Sequence, residues 1–269
     1  MFQIIIAVAV VGGTGLVFGC LLAFASYVFE VKRDERASKI LEVLPGANCG
    51  ACGYAGCSAY ADAIVQSGAP VNACGVGKQP VAEAVASIMG VDAGEVVECT
   101  AHVMCAGNCS SAVNKYEYMG IQDCVAESKL AGGAKMCPSG CLGLGSCVKV
   151  CQFGAISVVD GVAVVDEQKC TACGQCLKKC PKNIIHFVPK QNSAWVVCSN
   201  PEKGAFVNKY CKAGCIGCKI CEKNCPAGAI TVTDNLASIN YEKCIGCGLC
   251  AEKCPRHIIH YSKAAVTEK

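Results

Sequence analysis

Histidine, tryptophan and charged side chains are scarce in this sequence. Among its 269 residues there are four histidines and one tryptophan, aromatic residues make up 6%, and charged residues make up 17%. These low counts argue against a histidine-based zinc enzyme and against a large aromatic core. The net charge of +3 does not provide the strongly basic surface that general nucleic-acid binding requires.

Nucleotide-binding and nucleophile motifs are also missing. No GxGxxG follows a predicted strand and no GxxxxGK[S/T] occurs, so the sequence does not indicate a nicotinamide, flavin or nucleotide site in this chain. His186, His257 and His260 lie in apolar segments, and we interpret them as packing residues rather than ligands. We therefore expect no catalytic residue and no bond chemistry from this chain alone.

Cysteine, in contrast, is abundant. The 27 cysteines are an odd number, so they cannot all pair within the chain. The chain is also too long for the small secreted scaffolds in which such cysteine density reflects disulfides. Metal binding is the remaining explanation, and the spacing of the cysteines supports it.

The first residues predict a membrane anchor. The run from Met1 to Phe29 contains no charged side chain and exceeds the ~20 apolar residues that a transmembrane helix needs. Residues 23–25 (Ala-Phe-Ala) weakly resemble a signal-peptide cleavage site. Because no basic residue precedes the apolar run and the run is longer than a signal-peptide core, we predict an uncleaved transmembrane helix over 1–30.

Basic residues follow this segment and predict its orientation. Lys32, Arg33 and Arg36 come directly after it, and positively charged flanks stay in the cytoplasm. The predicted topology is a single pass through the cytoplasmic membrane, with the N-terminus outside and the rest of the chain in the cytoplasm. Thiols stay reduced there, which favours cysteine as a metal ligand.

Three cysteine runs have the spacing C-x2-C-x2-C-x3-C-P of bacterial ferredoxins. In such a run the first three cysteines bind one [4Fe–4S] cluster and the fourth binds the neighbouring cluster. A zinc ribbon, the alternative, uses paired CxxC knuckles instead. The runs are Cys170–Cys180, Cys215–Cys225 and Cys244–Cys254.

The C-terminal half contains an internal repeat with an offset of 74 positions, so that Cys170 corresponds to Cys244 and Cys180 to Cys254. This repeat offset places CPKNIIHFV on CPRHIIHYS and AISVVDGVAVVD on AITVTDNLASIN. The second pair predicts two β-hairpins that turn at Asp160-Gly161 and Asp234-Asn235. We therefore predict two ferredoxin-like modules with two clusters each, over 137–190 and 211–269.

The first copy departs from the ferredoxin pattern. Leu144 stands where the second copy has Cys218, and Gln152 replaces the usual proline. We expect four clusters from the two modules, with Cys137 as the weakest member of its group. The expected groups are Cys137, Cys141, Cys147 and Cys180; Cys151, Cys170, Cys173 and Cys176; Cys215, Cys218, Cys221 and Cys254; and Cys225, Cys244, Cys247 and Cys250.

A fifth site is predicted before the modules, in LPGANCGACGYAGC. The glycines of this loop let backbone N–H groups approach the sulfurs, where they tune the reduction potential of a cluster. The loop is followed by a predicted helix over 58–66. The predicted [4Fe–4S] ligands, with zinc as the alternative, are Cys49, Cys52, Cys57 and Cys74.

Seven cysteines remain outside these five groups. Cys20 lies in the apolar segment and is interpreted as a small apolar residue. The repeat offset places Cys124 on Cys198 and Cys137 on Cys211, which leaves the roles of Cys198 and Cys211 open. A possible sixth cluster has the ligands Cys99, Cys105, Cys109 and Cys124.

The apolar N-terminus, the four-cysteine loop and the ferredoxin-type runs, in this order, resemble the B subunit of the Rnf complex, the ion-translocating ferredoxin:NAD⁺ oxidoreductase. The resemblance covers essentially the whole chain, and the doubled module resembles the longer members of the family. It implies that electrons enter from soluble reduced ferredoxin and leave for partner subunits that carry the flavins and the NAD site.

The predicted fold is therefore α+β, with several small units rather than one large core. The predicted parts are an anchor at 1–30, a helical four-cysteine domain at 31–93, a connector at 94–136, a ferredoxin-like module at 137–190, a connector at 191–210 and a second module at 211–269. The predicted function is electron transfer within an ion-translocating membrane complex. Alternatives are an electron-transfer subunit of a hydrogenase or formate dehydrogenase, and an iron–sulfur redox sensor or scaffold.

Overall fold

The computed structural model describes residues 2–28, 34–190 and 193–262. Helix α1 runs over Phe2–Val28, and side chains within it are described at residues 2, 6 and 12–25. Within the described residues, no helix has an apolar stretch long enough to cross a membrane. Lys32 and Arg33, on which the predicted orientation depends, lie outside the described residues.

Three helices form the small unit that follows: α2 (Glu35–Val43), α3 (Cys57–Ser67) and α4 (Lys78–Met89). The carboxylate of Asp34 caps α2 by accepting the backbone N–H of Arg36 at 2.8 Å. The helix predicted after the four-cysteine loop is confirmed as α3. The three helices enclose an apolar core that includes Ile40, Tyr60, Ile64 and Val85.

The rest of the described chain consists of short helices and four two-stranded sheets. The elements of the first half are β1 (Cys99–Val103), α5 (Cys124–Ser128), α6 (Ser146–Lys149), β2 (Ile156–Val159), β3 (Val162–Val165), α7 (Gln175–Lys179) and β4 (Ile185–Pro189). The elements of the second half are β5 (Ser193–Val196), α8 (Gly204–Tyr210), α9 (Ile220–Lys223), β6 (Ile230–Thr233), β7 (Leu236–Ile239), α10 (Leu249–Glu252) and β8 (Ile259–Ser262).

Both predicted hairpins are confirmed. Strand β2 pairs with β3 and β6 pairs with β7, each antiparallel and each joined by two residues. The φ angles are +48° at Asp160 and +73° at Gly161, and +49° at Asp234 and +60° at Asn235. Two successive positive φ angles are the signature of the type I′ turn, which matches the twist of the flanking strands.

The two predicted connectors contribute strands to the modules. Strand β1, from 94–136, pairs antiparallel with β4, and β5, from 191–210, pairs antiparallel with β8. The sheets meet where the ring of His102 lies on that of Trp195, with centroids 4.0 Å apart. Each module is therefore closed by a strand that precedes it in the chain, and the modules pack against each other through these strands.

Candidate metal centres

All 27 cysteines lie in the described residues, and every one is a free thiol. Within residues 2–28, 34–190 and 193–262, no three side chains of His, Cys, Asp or Glu converge as ligands of one metal ion would. A [4Fe–4S] cluster binds one thiolate at each of four irons, so its ligands surround a cavity instead of meeting at a point. A site for such a cluster is therefore a cavity with four cysteines in its wall.

The predicted N-terminal ligands surround one cavity, which we call site 1. The loop before α3 and the residues before α4 form its walls. The side chain of Asn48 holds the loop on α3 by accepting the backbone N–H of Cys57 at 2.8 Å, and the N–H of Gly77 donates to Sγ of Cys74 at 3.4 Å. The cysteines of site 1 are Cys49, Cys52, Cys57 and Cys74.

The second module brings one predicted group together around a cavity, and it brings three members of the other group together. One cavity, site 5, lies beside α9 and is lined by Cys215, Cys218, Cys221 and Cys254. The other group, site 6, lies around α10, where burial raises the pKa of Cys250 and the thiols of Cys244 and Cys247 raise it further. Cys225 packs on the same apolar core as Cys250, and its Sγ accepts the N–H of Ala229 at 3.3 Å. The cysteines of site 6 are Cys225, Cys244, Cys247 and Cys250.

The equivalent of site 6 in the first module is site 2, with Cys151, Cys170, Cys173 and Cys176. Burial raises the pKa of Cys173, and the neighbouring thiols of Cys151 and Cys170 add to the rise. The Sγ of Cys151 accepts the N–H of Ala155 at 3.3 Å, the same bond that Cys225 makes at the equivalent place in the second module. The structure thus places this predicted group together.

The other group of the first module changes its membership. Its cavity, site 3, is lined by Cys124, Cys141, Cys147 and Cys180, and not by Cys137. Cys124 compensates for Leu144, which has no thiol where the second module has Cys218. Ser146 holds Cys124 in place, since its Oγ accepts the N–H of Cys124 at 2.7 Å and donates to Asp123 at 2.8 Å.

The structure also separates the four cysteines expected to form a sixth cluster. Cys124 belongs to site 3, and Cys105 lines another cavity. Cys99 lies in β1 opposite Pro189, where its thiol donates to the carbonyl oxygen of Val97 at 3.6 Å. Cys109 is exposed. The expected group Cys99, Cys105, Cys109 and Cys124 is therefore not brought together.

A different set of four cysteines surrounds a cavity between the modules, which we call site 4. Its cysteines are Cys105, Cys137, Cys198 and Cys211. Cys137, expected in the first module's own cluster, is thus placed here, and Cys198 and Cys211 gain neighbours that the sequence did not assign. Burial raises the pKa of Cys137 to about 12 and that of Cys198 to about 11, so both thiols stay protonated unless a metal displaces the proton.

Site 4 is built symmetrically from the two modules. Cys105 stands two residues after Val103, which pairs with β4, and Cys198 stands two residues after Val196, which pairs with β8 at the equivalent register. The other two cysteines, Cys137 and Cys211, are equivalent under the repeat offset. Each module therefore contributes one cysteine after its closing strand and one that stands four positions before Cys141 or Cys215.

The backbone around site 4 leaves room for a cluster beside the sulfurs. A Cβ atom built at Gly107 would lie 3.6 Å from Sγ of Cys105 and 3.6 Å from Sγ of Cys211. A side chain here would occupy the space next to both thiols. Four thiols around one cavity, with a glycine at its wall, fit a [4Fe–4S] cluster.

Three family models match the chain. A model described as "Putative Fe-S cluster" matches residues 44–76, which include site 1. A "4Fe-4S binding domain" model matches 163–186, and a "4Fe-4S dicluster domain" model matches 214–259. These matches and the grouped cysteines show that the chain binds several [4Fe–4S] clusters.

Curated relatives match most of the chain. The B subunit of the "Na(+)-translocating ferredoxin:NAD(+) oxidoreductase complex" of Acetobacterium woodii is 46% identical over 89% of this chain and 72% of the relative. The B subunit of the "Ion-translocating oxidoreductase complex" of Methanosarcina acetivorans is 43% identical over 88% and 90%, respectively. The B subunit of the "Proton-translocating ferredoxin:NAD(+) oxidoreductase complex" of Clostridium ljungdahlii is 42% identical over 89% and 85%.

The chain belongs to the family of Rnf B subunits. It is therefore an electron-transfer subunit of an ion-translocating oxidoreductase complex, and it assembles with the other subunits of that complex. This membership favours the complex subunit over the hydrogenase, formate dehydrogenase and sensor alternatives.

In this member of the Rnf family, direct contacts connect the six sites in the order 1 to 6. The side-chain amide of Gln175, beside site 2, donates to the carbonyl oxygen of Cys49 in site 1. Helix α6, which carries a cysteine of site 3, packs on α7, which carries one of site 2. Helices α9 and α10 connect sites 5 and 6 in the same way.

Two hydrogen bonds to sulfur connect the middle of the row. The N–H of Cys141, in site 3, donates to Sγ of Cys105, in site 4, at 3.3 Å. The N–H of Cys215, in site 5, donates to Sγ of Cys198, also in site 4, at 3.3 Å. Site 4 is thus the junction through which the two modules contact each other.

Proposed function

We propose that this chain conducts electrons from reduced ferredoxin, along six [4Fe–4S] sites, to partner subunits that reduce NAD⁺. The observation that carries the proposal is the row of direct contacts from site 6 to site 1. Each bound cluster supplies reversible one-electron chemistry. The ferredoxin and NAD⁺ named for the relatives from A. woodii and C. ljungdahlii support the two ends of this path.

The proposed ligands are the cysteines grouped above as sites 1 to 6. This assignment uses 24 of the 27 thiols and leaves Cys20, Cys99 and Cys109 without a cluster. The protein's task at each site is to hold four thiolates and to offer backbone N–H groups to the sulfurs. The N–H groups of Cys141 and Cys215 do this at the junction.

We also propose that α1 anchors the chain in the cytoplasmic membrane, with the N-terminus outside and all six sites in the cytoplasm. The described side chains support this, because Leu16, Phe18, Leu22 and Phe24 are each at least 65% exposed. Exposed apolar side chains in such number indicate a surface that lipid or a partner covers. A reporter fused after the last residue should be active only if it functions in the cytoplasm.

The direction of electron flow follows from the position of site 1. It lies on the short segment after α1, whereas sites 5 and 6 lie at the other end of the row and are better placed to meet a soluble donor. In the complete complex, we expect Cys52→Ala/Cys57→Ala to leave the reduction of sites 2 to 6 by ferredoxin intact. The same variant should abolish NAD⁺ reduction.

Stopped-flow bleaching of the clusters, recorded beside NAD⁺ reduction, tests this order. Cys99→Ala/Cys109→Ala is the matched control, since it also removes two thiols but none of the proposed ligands. If the site 1 variant reduces NAD⁺ at the normal rate, site 1 is off the path and the proposed order is wrong.

A further inference from the structure

Lys135 is a buried cation at the junction. Its side chain is 7% exposed and lines the cavity of site 4. The equivalent residue of the second module under the repeat offset is Lys209, which is exposed on α8. The burial of the lysine is therefore not a property of the repeat but belongs to the first copy alone.

The ammonium of Lys135 is bonded to backbone carbonyl groups. It donates to the carbonyl oxygens of Gly107 at 2.5 Å and Gly161 at 3.1 Å. Among the described residues, no carboxylate lies within ion-pair distance of it. Because a buried charge is costly unless an opposite charge compensates it, this lysine needs an anionic neighbour.

The anionic neighbours available to it are cysteine sulfurs. Lys135 shares the wall of the site 4 cavity with the four cysteines of that site. Its ammonium donates to the carbonyl oxygen of Gly107, and a Cβ atom built at Gly107 would lie 3.6 Å from Sγ of Cys105 and of Cys211. The charge of the lysine thus lies close to the sulfurs of site 4. Four thiolates with their irons would supply the negative charge that the described carboxylates do not.

We propose that Lys135 sets the reduction potential at the junction, by raising it at site 4. The proposal rests on the proposed function, in which site 4 holds a cluster. When a neighbouring site passes one electron to site 4, no proton has to move. The charge at site 4 then becomes more negative by one elementary charge. A fixed positive charge favours that reduced state, so the junction accepts electrons more readily than it would without the lysine.

The size of the effect follows from Coulomb's law. A unit charge about 10 Å away, at an effective dielectric constant of about 20, changes a one-electron equilibrium roughly tenfold. A tenfold change in the ratio of reduced to oxidised cluster corresponds to about 59 mV for one electron. The neutral variant Lys135→Met should therefore lower the midpoint potential at site 4 by about this amount.

The experiment is an anaerobic redox titration of the full chain, followed by electron paramagnetic resonance, with iron counted in every sample. The signal of site 4 is the one absent from Cys105→Ala/Cys198→Ala. We expect Lys135→Met and Lys135→Gln to keep all their iron and to shift this signal to lower potential. Lys135→Arg retains the charge and should shift it little, and Lys209→Met, the exposed counterpart, should not shift it.

The outcomes separate the inference from the proposed function. If both neutral variants keep their iron and the potential at site 4 does not move, the inference about Lys135 is wrong although the site stands. If both neutral variants lose about four irons, Lys135 holds the site together instead of setting its potential, and the inference is also wrong. If Cys105→Ala/Cys198→Ala keeps all its iron, site 4 binds no cluster and the assignment itself fails.

Discussion

The backbone N–H of Cys215 donates to Sγ of Cys198 at 3.3 Å, and at the equivalent place in the first module the N–H of Cys141 donates to Sγ of Cys105 at the same distance. The repeat offset does not relate the two acceptor sulfurs, yet they occupy equivalent places after β1 and β5. Their shared cavity lies where the two modules face each other. The repeat therefore creates a site that neither copy contains alone.

The regrouped ligands predict how iron content responds to paired substitutions. Cys124→Ala/Cys141→Ala removes two ligands of site 3 and should lower bound iron by about four atoms per chain. Cys137→Ala/Cys141→Ala removes one ligand from each of two sites and should lower bound iron by about eight atoms per chain. Iron and acid-labile sulfide, measured after anaerobic purification, distinguish the two results.

Cys99→Ala/Cys109→Ala is the control for these counts and should retain about 24 irons. A loss of about four irons from the control would restore the grouping in which Cys99 and Cys109 are ligands. A loss of only about four from Cys137→Ala/Cys141→Ala would return Cys137 to the first module's own cluster.

A side chain at Gly161 would overlap with the sulfur of Cys109, and a second substitution that removes this sulfur should relieve the overlap. The φ of Gly161 is +73°, and a Cβ atom there would lie 2.6 Å from Sγ of Cys109. Gly161→Ala should destabilise the chain by roughly 1–2 kcal/mol, about 1 from the left-handed backbone and up to about 1 from the overlap, because the exposed thiol of Cys109 can rotate away. Gly154→Ala, at φ +59° with open space around it, should cost only about 1 kcal/mol.

Denaturant midpoints of the anaerobic chain, followed by cluster absorbance, measure these differences. Because Cys109→Ala removes the overlapping sulfur, the double variant Gly161→Ala/Cys109→Ala should be as stable as Gly154→Ala. If the double variant is no more stable than Gly161→Ala alone, the sulfur is not the source of the conflict.

The sequence predicts the local features of this fold well. Both hairpins and the helix after the four-cysteine loop follow from patterns over a few residues, and the cysteines that spacing groups as sites 1 and 5 each line one cavity. Cysteine spacing is informative here because three thiolates on one tight loop must serve the same cluster. The Asp160-Gly161 turn is equally local, since its two positive φ angles restrict the residue types.

The membership of sites 3 and 4 depends on long-range pairing and is not visible in the spacing. Cys105 reaches the junction because β1 pairs with β4, although the two strands are far apart in the chain. Cys124 replaces the thiol that Leu144 lacks because Ser146 holds it there. One sequence signal did point to this result: the repeat offset places Cys137 on Cys211, and both line site 4.

The stacked pair at the module interface predicts a pH dependence. Burial lowers the pKa of His102 from 6.5 to about 4, with a further contribution from His260, so the folded chain holds His102 neutral beside Trp195. The unfolded chain binds the proton more readily, so the stabilisation is complete above pH 6.5 and is lost as the pH falls from 6.5 towards 4. The free energy of unfolding lost between pH 6.5 and pH 4 amounts to at most about 3 kcal/mol.

His102→Phe keeps an aromatic ring at this position and cannot be protonated. Its denaturant midpoint should fall less than that of the unmodified chain between about pH 7 and about pH 5. His186 pairs with His102 across the sheet and is exposed. The denaturant midpoint of His186→Gln should change with pH as that of the unmodified chain does. Equal pH dependence in His102→Phe and the unmodified chain would show that this histidine does not contribute.

The contact between Gln175 and Cys49 predicts that electron transfer between sites 2 and 1 can be slowed without loss of iron. The amide of Gln175 donates to the carbonyl oxygen of Cys49, and Nζ of Lys178 donates to that of Gly50 at 3.4 Å. These bonds join distant parts of the chain and hold site 1 against site 2. Neither side chain is a proposed ligand, so Gln175→Ala/Lys178→Ala should retain all of its iron.

A hydrogen bond contributes about 1 kcal/mol, so loss of the Gln175 bond should lower the equilibrium ratio of touching to separated arrangements roughly fivefold. Electron tunnelling weakens steeply with distance, so NAD⁺ reduction by the complete complex should slow, by at most that factor, while ferredoxin still reduces sites 2 to 6. Gln168→Ala, an exposed glutamine of the same module, should change neither rate. If Gln175→Ala/Lys178→Ala reduces NAD⁺ as fast as the unmodified complex, electrons do not need this contact, and site 1 must receive them from another surface.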